Sequence, residues 1–147
     1  MPAPSAKSIR AADNAIRATE RAEPMNPWNP QDARTITSPQ EIEVVTRRPD
    51  GTSRRPTIIW VVGDGDDVFI RSTNGRGAAW FRGAIAGDNG QILARGTVFE
   101  VTFTQADDGD LPRIDAAYRA KYGQYASIVD HLEEDGPRAA TLQVHPA

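Results

Sequence analysis

The sequence predicts a mainly β protein of the α+β class, a six-stranded antiparallel split β-barrel with short helices at its openings. Three observations carry this. The run Thr57-Ile58-Ile59-Trp60-Val61-Val62 is apolar at consecutive positions, as in a strand covered on both faces. Phe99, Val101 and Phe103 alternate with polar residues, the period of a half-buried strand. Turn signals such as Pro49-Asp50-Gly51 and Gly63-Asp64-Gly65-Asp66 separate short strand-like segments. A cystatin-like curved sheet is the structural rival. The 147 residues make one domain able to bury roughly two thirds of its unfolded surface.

In chain order, residues 1–40 form a Pro/Ala-rich N-terminal arm, in which Ser5 to Glu23 reads either as a short helix or as a tail that docks or is disordered, and residues 41–147 form the barrel. In the arm, Trp28 lies between prolines, an indole that either rests on the domain or a second subunit or is loosely held in a linker. Ile42 and Val44 begin a first hairpin that turns at Pro49-Asp50-Gly51 and returns along 57–62. Val68-Phe69-Ile70-Arg71-Ser72 follows the next turn and lies at the sheet centre. A helix spans about Arg76 to Ala86 and closes at Gly87; Asn89-Gly90 then leads into Gln91–Ala94 and Thr97–Phe103. Asp107-Asp108-Gly109-Asp110 is a loop, and Pro112 suits the first turn of a helix whose Ile114, Tyr118 and Tyr122 share a face. Gly123 ends it, a short helix covers Tyr125 to Glu133, and Ala140 to His145 is the last strand.

Composition narrows the function. There is no cysteine, which excludes disulfides, thiolate zinc sites and cysteine nucleophiles and fits a reducing cytoplasm. A net charge of −3 argues against sequence-independent nucleic-acid binding. No apolar run is long enough for a membrane span or a secretion signal, so the reading is a soluble, cytoplasmic protein. His131 and His145 fit no metal-ligand spacing or serine-histidine-acid arrangement, and Asp64, Asp66 and Asp67 lack the distal glutamate of a calcium loop, so no metal is expected. Glu100, opposite Phe99 and Val101, reads as solvent-facing.

Arg54 and Arg55 stand in a polar turn where paired guanidinium groups could grip a phosphate, or form a solvated hairpin tip. Ser72, Asn74 and Gly75-Arg76-Gly77 offer backbone amides at a helix start, a common anion site. Trp80 follows that turn and could line a pocket mouth, whereas Trp60 reads as core or rim. Tyr118, Tyr122 and Tyr125 combine aromatic surface with hydroxyl donors and would equally seal the barrel end.

Taken in order, Gly51-Thr52-Ser53-Arg54-Arg55-Pro56-Thr57, Phe69-Ile70-Arg71-Ser72, Ala79-Trp80-Phe81, Tyr118 to Tyr125 and Leu142-Gln143-Val144-His145-Pro146 resemble the deazaflavin-dependent nitroreductase-like split-barrel superfamily, and within it an uncharacterised actinobacterial branch. The resemblance spans about residues 41–146. It implies deazaflavin or FMN as cofactor, with Arg54, Arg55 and Thr57 at its phosphate, Ser72, Arg76 and Trp80 along its ring, and Tyr118, Tyr122 and Tyr125 facing the substrate as candidate catalytic residues. The implied activity is reduction of a small quinone, nitro or enone-like compound, with a small-molecule ligand as partner and a homodimer as assembly. The sequence departs from that superfamily at Gly83, where asparagine is usual, and at Ile58-Ile59, where proline-leucine is usual. Gly83 and the thin basic charge favour an alternative, a barrel without cofactor that binds a small apolar or aromatic ligand as a carrier or cofactor-free biosynthetic enzyme.

Overall fold

A computed structural model describes residues 27–147; the helix expected over Ser5 to Glu23 lies outside the described residues. Helix α1 (Pro30–Thr37) precedes strands β1 (Ile42–Thr46), β2 (Thr57–Ile59), β3 (Val61–Asp64) and β4 (Asp67–Arg71). After helix α2 (Ala79–Gly87) come β5 (Asn89–Ala94), β6 (Thr97–Gln105), helices α3 (Leu111–Tyr122), α4 (Ala126–Leu132) and α5 (Asp135–Arg138), and β7 (Thr141–Pro146). All strand pairs are antiparallel, in the order β2-β1-β5-β6-β7-β4-β3.

The two edges of this sheet, β2 and β3, are consecutive in the chain with Trp60 between them. One strand therefore bends at Trp60 and serves both ends, which brings the sheet round into a nearly closed barrel. The bend also explains why seven strands are present where the sequence suggests six. Covering on both faces holds for Val61 and Val62, whereas Ile58, before the bend, is 61% exposed.

Turn chemistry sets the registers. Asp64 pairs with Asp67 across a two-residue turn with Gly65 at φ 61°. Ala94 pairs with Thr97 across Arg95 and Gly96, both at positive φ, the primed turn that matches strand twist. Helix α2 runs through Gly87 and ends instead at Asp88, which takes the left-handed conformation at φ 52°. Asn89-Gly90 is itself the start of β5, Asn89 paired with β6 and Gly90 with both β1 and β6. Gly90 is needed there because a Cβ would collide with the Val45 carbonyl oxygen and press the Phe103 ring.

The sheet buries two cores. Inside the barrel, Val44, Val61, Ile70, Phe81, Val101 and Val144 meet Ala33 and Ile36 of α1. Trp28 joins them, donating from Nε1 to the Val144 carbonyl at 2.8 Å and packing edge-on against Phe99, with ring centroids 5.8 Å apart. It is thus buried in its own barrel and is neither a linker residue nor an arm toward a partner. On the outer face, Val62 and Phe69 pack against Ile114, Tyr118 and Tyr122 of α3 and Val129 and Leu132 of α4.

At the bend, α3 takes up the backbone groups that leave the ladder. The Val61 amide donates to the Tyr122 hydroxyl at 3.1 Å, and that hydroxyl donates to the Gln40 carbonyl at 2.6 Å. Lys121 Nζ donates at 2.7 Å to each of three carbonyls, those of Thr37, Pro39 and Val61. Burial draws the Lys121 ammonium down to about 8, opposed by the three acceptors, which favour the charged form.

Replacing Tyr122 with Phe should therefore cost about 2 kcal/mol of stability in urea unfolding, since it leaves the buried Val61 amide unpaired. A hydroxyl with a purely chemical role would leave the midpoint unmoved. Gly90→Ala should cost about 1–3 kcal/mol in the same assay through overpacking.

Candidate ligand-binding site

A cavity of about 440 Å³ opens where the strand bends. Its wall takes Thr57, Ile58, Ile59 and Trp60 from the bend, Arg71 to Asn74 from the end of β4, Ala78 and Trp80 from the start of α2, and Ile128 and Leu132 from α4, with Glu41 at one side. The segment after β4 is fixed by backbone bonds: the Ser72 amide donates to the Ala140 carbonyl at 3.0 Å and the Gly75 amide to the Ser72 carbonyl at 3.1 Å. His131 Nε2 and the Thr73 carbonyl, 2.7 Å apart, tie α4 to the same rim. A shallower groove of about 410 Å³ on the outer sheet face shares Glu41 and Ile58 with the cavity and continues to Val98.

Of the residues singled out from the sequence, Thr57, Ser72 and Trp80 meet in the cavity wall. Arg54, Arg55 and Arg76 are not in that wall. Arg54 donates to the Arg47 carbonyl and lies over Gly83 of α2, where a Cβ would collide with its Nη1. Arg55 is exposed. Arg76 donates to Gln105 Oε1 at 2.8 Å and the Ala139 carbonyl at 2.9 Å, over the Phe81 ring.

The tyrosines lie behind the wall. Tyr118 is fully buried against α4 and the outer face of β4, and burial pushes its phenol well above the ordinary value. The Tyr122 ring stacks on Trp60 at 3.9 Å, its hydroxyl is occupied at the bend, and burial raises it to about 12. Tyr125 touches Trp60 and accepts from Gln40 Nε2 at 3.4 Å. Phenols so raised stay protonated near neutral pH and do not serve as bases; the Tyr122 hydroxyl donates, whereas that of Tyr118 has no partner.

Sequence reasoning missed Arg71. It lies at the end of β4 with its side chain wholly buried, in the wall of the cavity. The available signal was an arginine closing the apolar run Val68-Phe69-Ile70, since a guanidinium at a core position needs dedicated partners. The acidic turn has a different explanation. Asp64 and Asp67, together with Asp110, hold Arg113 at 2.8, 3.0 and 3.1 Å, and this cage raises the guanidinium further. Among the described residues no cluster of three acidic or histidine side chains is placed to hold a metal ion, and no helix is long and apolar enough to cross a membrane.

A nearly closed antiparallel barrel with a cavity at its split defines a split-barrel protein. The chain belongs to the family described as an uncharacterised protein conserved in bacteria (DUF2255), which matches residues 32–144. No curated protein matches it. Among solved structures it is similar to the conserved hypothetical protein Rv2991 from Mycobacterium tuberculosis, at 12% identity and TM-score 0.59 over 84% of this chain and 81% of that one. The heme storage protein HutZ from Vibrio cholerae matches at 13% identity and TM-score 0.60, over 80% and 87%. An F420-H2 dependent reductase (FDR-A) matches at 13% identity and TM-score 0.57, over 72% and 94%. At these identities the likeness is one of fold.

His145 supplies a pH test of the barrel. It lies in β7 with Nε2 2.9 Å from Thr104 Oγ1, and burial holds its pKa below the usual value although Asp67 raises it. The folded protein binds that proton less readily than the unfolded chain, so the contribution is complete above a pH of about 6.5 and is lost as pH falls through the lower folded value. Melting of the wild type should accordingly lose ground against His145→Gln between pH 7.5 and 5; a constant difference would remove His145 as the cause.

Proposed function

We propose that the protein is a small oxidoreductase whose cavity holds the ring of a flavin or deazaflavin beside a small quinone, nitro or enone-like acceptor. The observation that carries this reading is the cavity at the bend, flanked by Trp60 and Trp80, with Ile58 and Ile128 at its mouth and Thr57 and Ser72 in its wall. Flat apolar surfaces with a few polar groups suit a tricyclic heteroaromatic ring. Bound there, such a cofactor supplies hydride chemistry. The chain's part is to exclude water with the two indoles and to orient the ring through Thr57, with Tyr125 supporting Trp60 from behind the wall. Arg55, exposed in the loop that leads into Thr57, is the basic residue left to meet a phosphate tail, because Arg54 and Arg76 are held by carbonyls of the chain itself. The exposed Ile58 and Val98 of the outer groove suit a homodimer.

The similar structures include both an F420-H2 dependent reductase and a heme storage protein. The lining found among the described residues, two indoles, the aliphatic side chains of Ile58, Ile59, Ile128 and Leu132 and the Thr57 hydroxyl, supports the flavin-type reading. The second reading, a barrel without cofactor that binds a small aromatic ligand, is favoured by the engagement of Arg54 over Gly83.

Titration of purified protein with FMN and a deazaflavin, followed by ligand fluorescence, should show saturable micromolar binding. Ile128→Glu, a change at an exposed wall position, should weaken it by about tenfold through a charge placed against the ring. Failure of both ligands to bind would leave the cofactor-free reading.

A further inference from the structure

Behind the cavity wall lies a charge cluster that the flavin reading leaves unused. Arg71 Nε donates to Thr141 Oγ1 at 2.7 Å, and Nη1 donates to Asp115 Oδ1 at 2.7 Å and to the Leu132 carbonyl at 3.0 Å. The other oxygen of Asp115 accepts from Arg138 Nε at 3.0 Å. Two guanidinium groups thus share one carboxylate, leaving an excess positive charge. The Arg71 side chain is wholly buried, while Asp115 and Arg138 are 21% and 31% exposed. Beneath Arg71 is the Tyr118 ring, 5.3 Å from the guanidinium carbon, whose phenol stays neutral. Glu41, the carboxylate of the cavity wall, pairs with neither arginine.

Besides the Tyr118 hydroxyl, two donors of this region have no partner, Arg71 Nη2 and the hydroxyl of the adjacent Ser72, itself 1% exposed. Both residues belong to the wall, as does Leu132, whose carbonyl accepts from Arg71. An unpaired buried donor is destabilising, and an unbalanced buried charge more so. One oxyanion would answer all three features: it balances the charge and accepts from both donors.

We propose that the cavity is an anion-recognition site, in which a carboxylate or phosphate oxygen of the ligand accepts hydrogen bonds from Arg71 Nη2 and Ser72 Oγ, and the charge excess of the Arg71–Asp115–Arg138 cluster selects anionic over neutral ligands. The two donors are closed off from water, so the ligand meets them as the wall side chains turn toward it. The inference rests on the cavity being the ligand site but not on the identity of any cofactor.

The test uses three aromatic probes of similar shape, benzoate, phenyl phosphate and benzamide, titrated calorimetrically at constant ionic strength. The anions should bind at least about tenfold more tightly than benzamide, and the better of the two names the oxyanion. Ser72→Ala should lower anion affinity about fivefold without lowering the melting temperature, since it removes a hydroxyl with no partner. Arg138→Gln, outside the cavity wall, neutralises the cluster and should cost about tenfold in anion affinity while leaving benzamide unchanged. Equal affinity for the three probes, no saturable binding of any, or an anion preference that survives Arg138→Gln would overturn the proposal. Anion selectivity with no flavin binding would fail the cofactor reading alone, whereas riboflavin binding without anion selectivity would fail the anion site alone.

Discussion

The structure depends on how the chain satisfies Val61 after the bend at Trp60. A strand that leaves one sheet edge to begin the other gives up ladder partners at the crossing, and each buried amide or carbonyl left unpaired costs about 1–3 kcal/mol. Here the Val61 amide is taken by the Tyr122 hydroxyl and the Val61 carbonyl by Lys121, from adjacent residues at the end of α3. Lys121 also collects the carbonyls of Thr37 and Pro39, so the end of α1, the approach to β1 and the crossing strand converge on one ammonium group. Without these partners the barrel would have to close by a different route.

Fixing the C-terminal end of α3 also fixes what its earlier turns deliver. Asp115 and Tyr118 stand about two turns and one turn before Tyr122, so they fall on nearly the same face of the helix. That face lies on β4, where Phe69 and Arg71 point outward, and Asp115 reaches Arg71 at 2.7 Å. A buried arginine is rarely a gain in stability by itself, and it persists where its geometry is determined by several partners. Thr141, Leu132 and Asp115 supply three from separate elements, which fixes Nε and Nη1 of the buried Arg71 and leaves Nη2 without a partner. The bend and the charge cluster are thus linked through a single helix.

Much of the fold was legible in the sequence because it is written in local periods. The alternation of Phe99, Val101 and Phe103, Pro112 at the start of α3 and the two-residue turn at Gly65-Asp66 each depend on neighbours in the chain. What was not legible depends on distant partners. Asn89-Gly90 looks like a turn from within its own segment, and only the approach of Val45 makes the glycine a strand residue. Ile58 extends an apolar run, yet the crossing at Trp60 leaves it on the outside. The same limit governs the site. Thr57, Ser72 and Trp80 reach the cavity, but no local pattern shows that Tyr122 spends its hydroxyl on Gln40 or that Arg71 turns toward α3.

Gly83 shows how one distant contact redirects the reading of a motif. Seen as sequence, it is a missing asparagine on α2, and Arg54 is a free cation in a turn. Seen in the fold, the two are one feature: the guanidinium of Arg54 occupies the space a side chain at 83 would need, with Thr46 Oγ1 also close to that position, and its own Nη1 bonds to the Arg47 carbonyl. An arginine so placed stiffens the junction between β1, the basic loop and α2, but has little freedom to follow a ligand's phosphate. The positive charge that remains near the cavity comes instead from Arg71 and its shared carboxylate, on the opposite strand of the split. The engaged Arg54 and the Arg71 cluster are therefore separate parts of the molecule, the first bound into the junction of β1 and α2 and the second into the packing of β4 against α3.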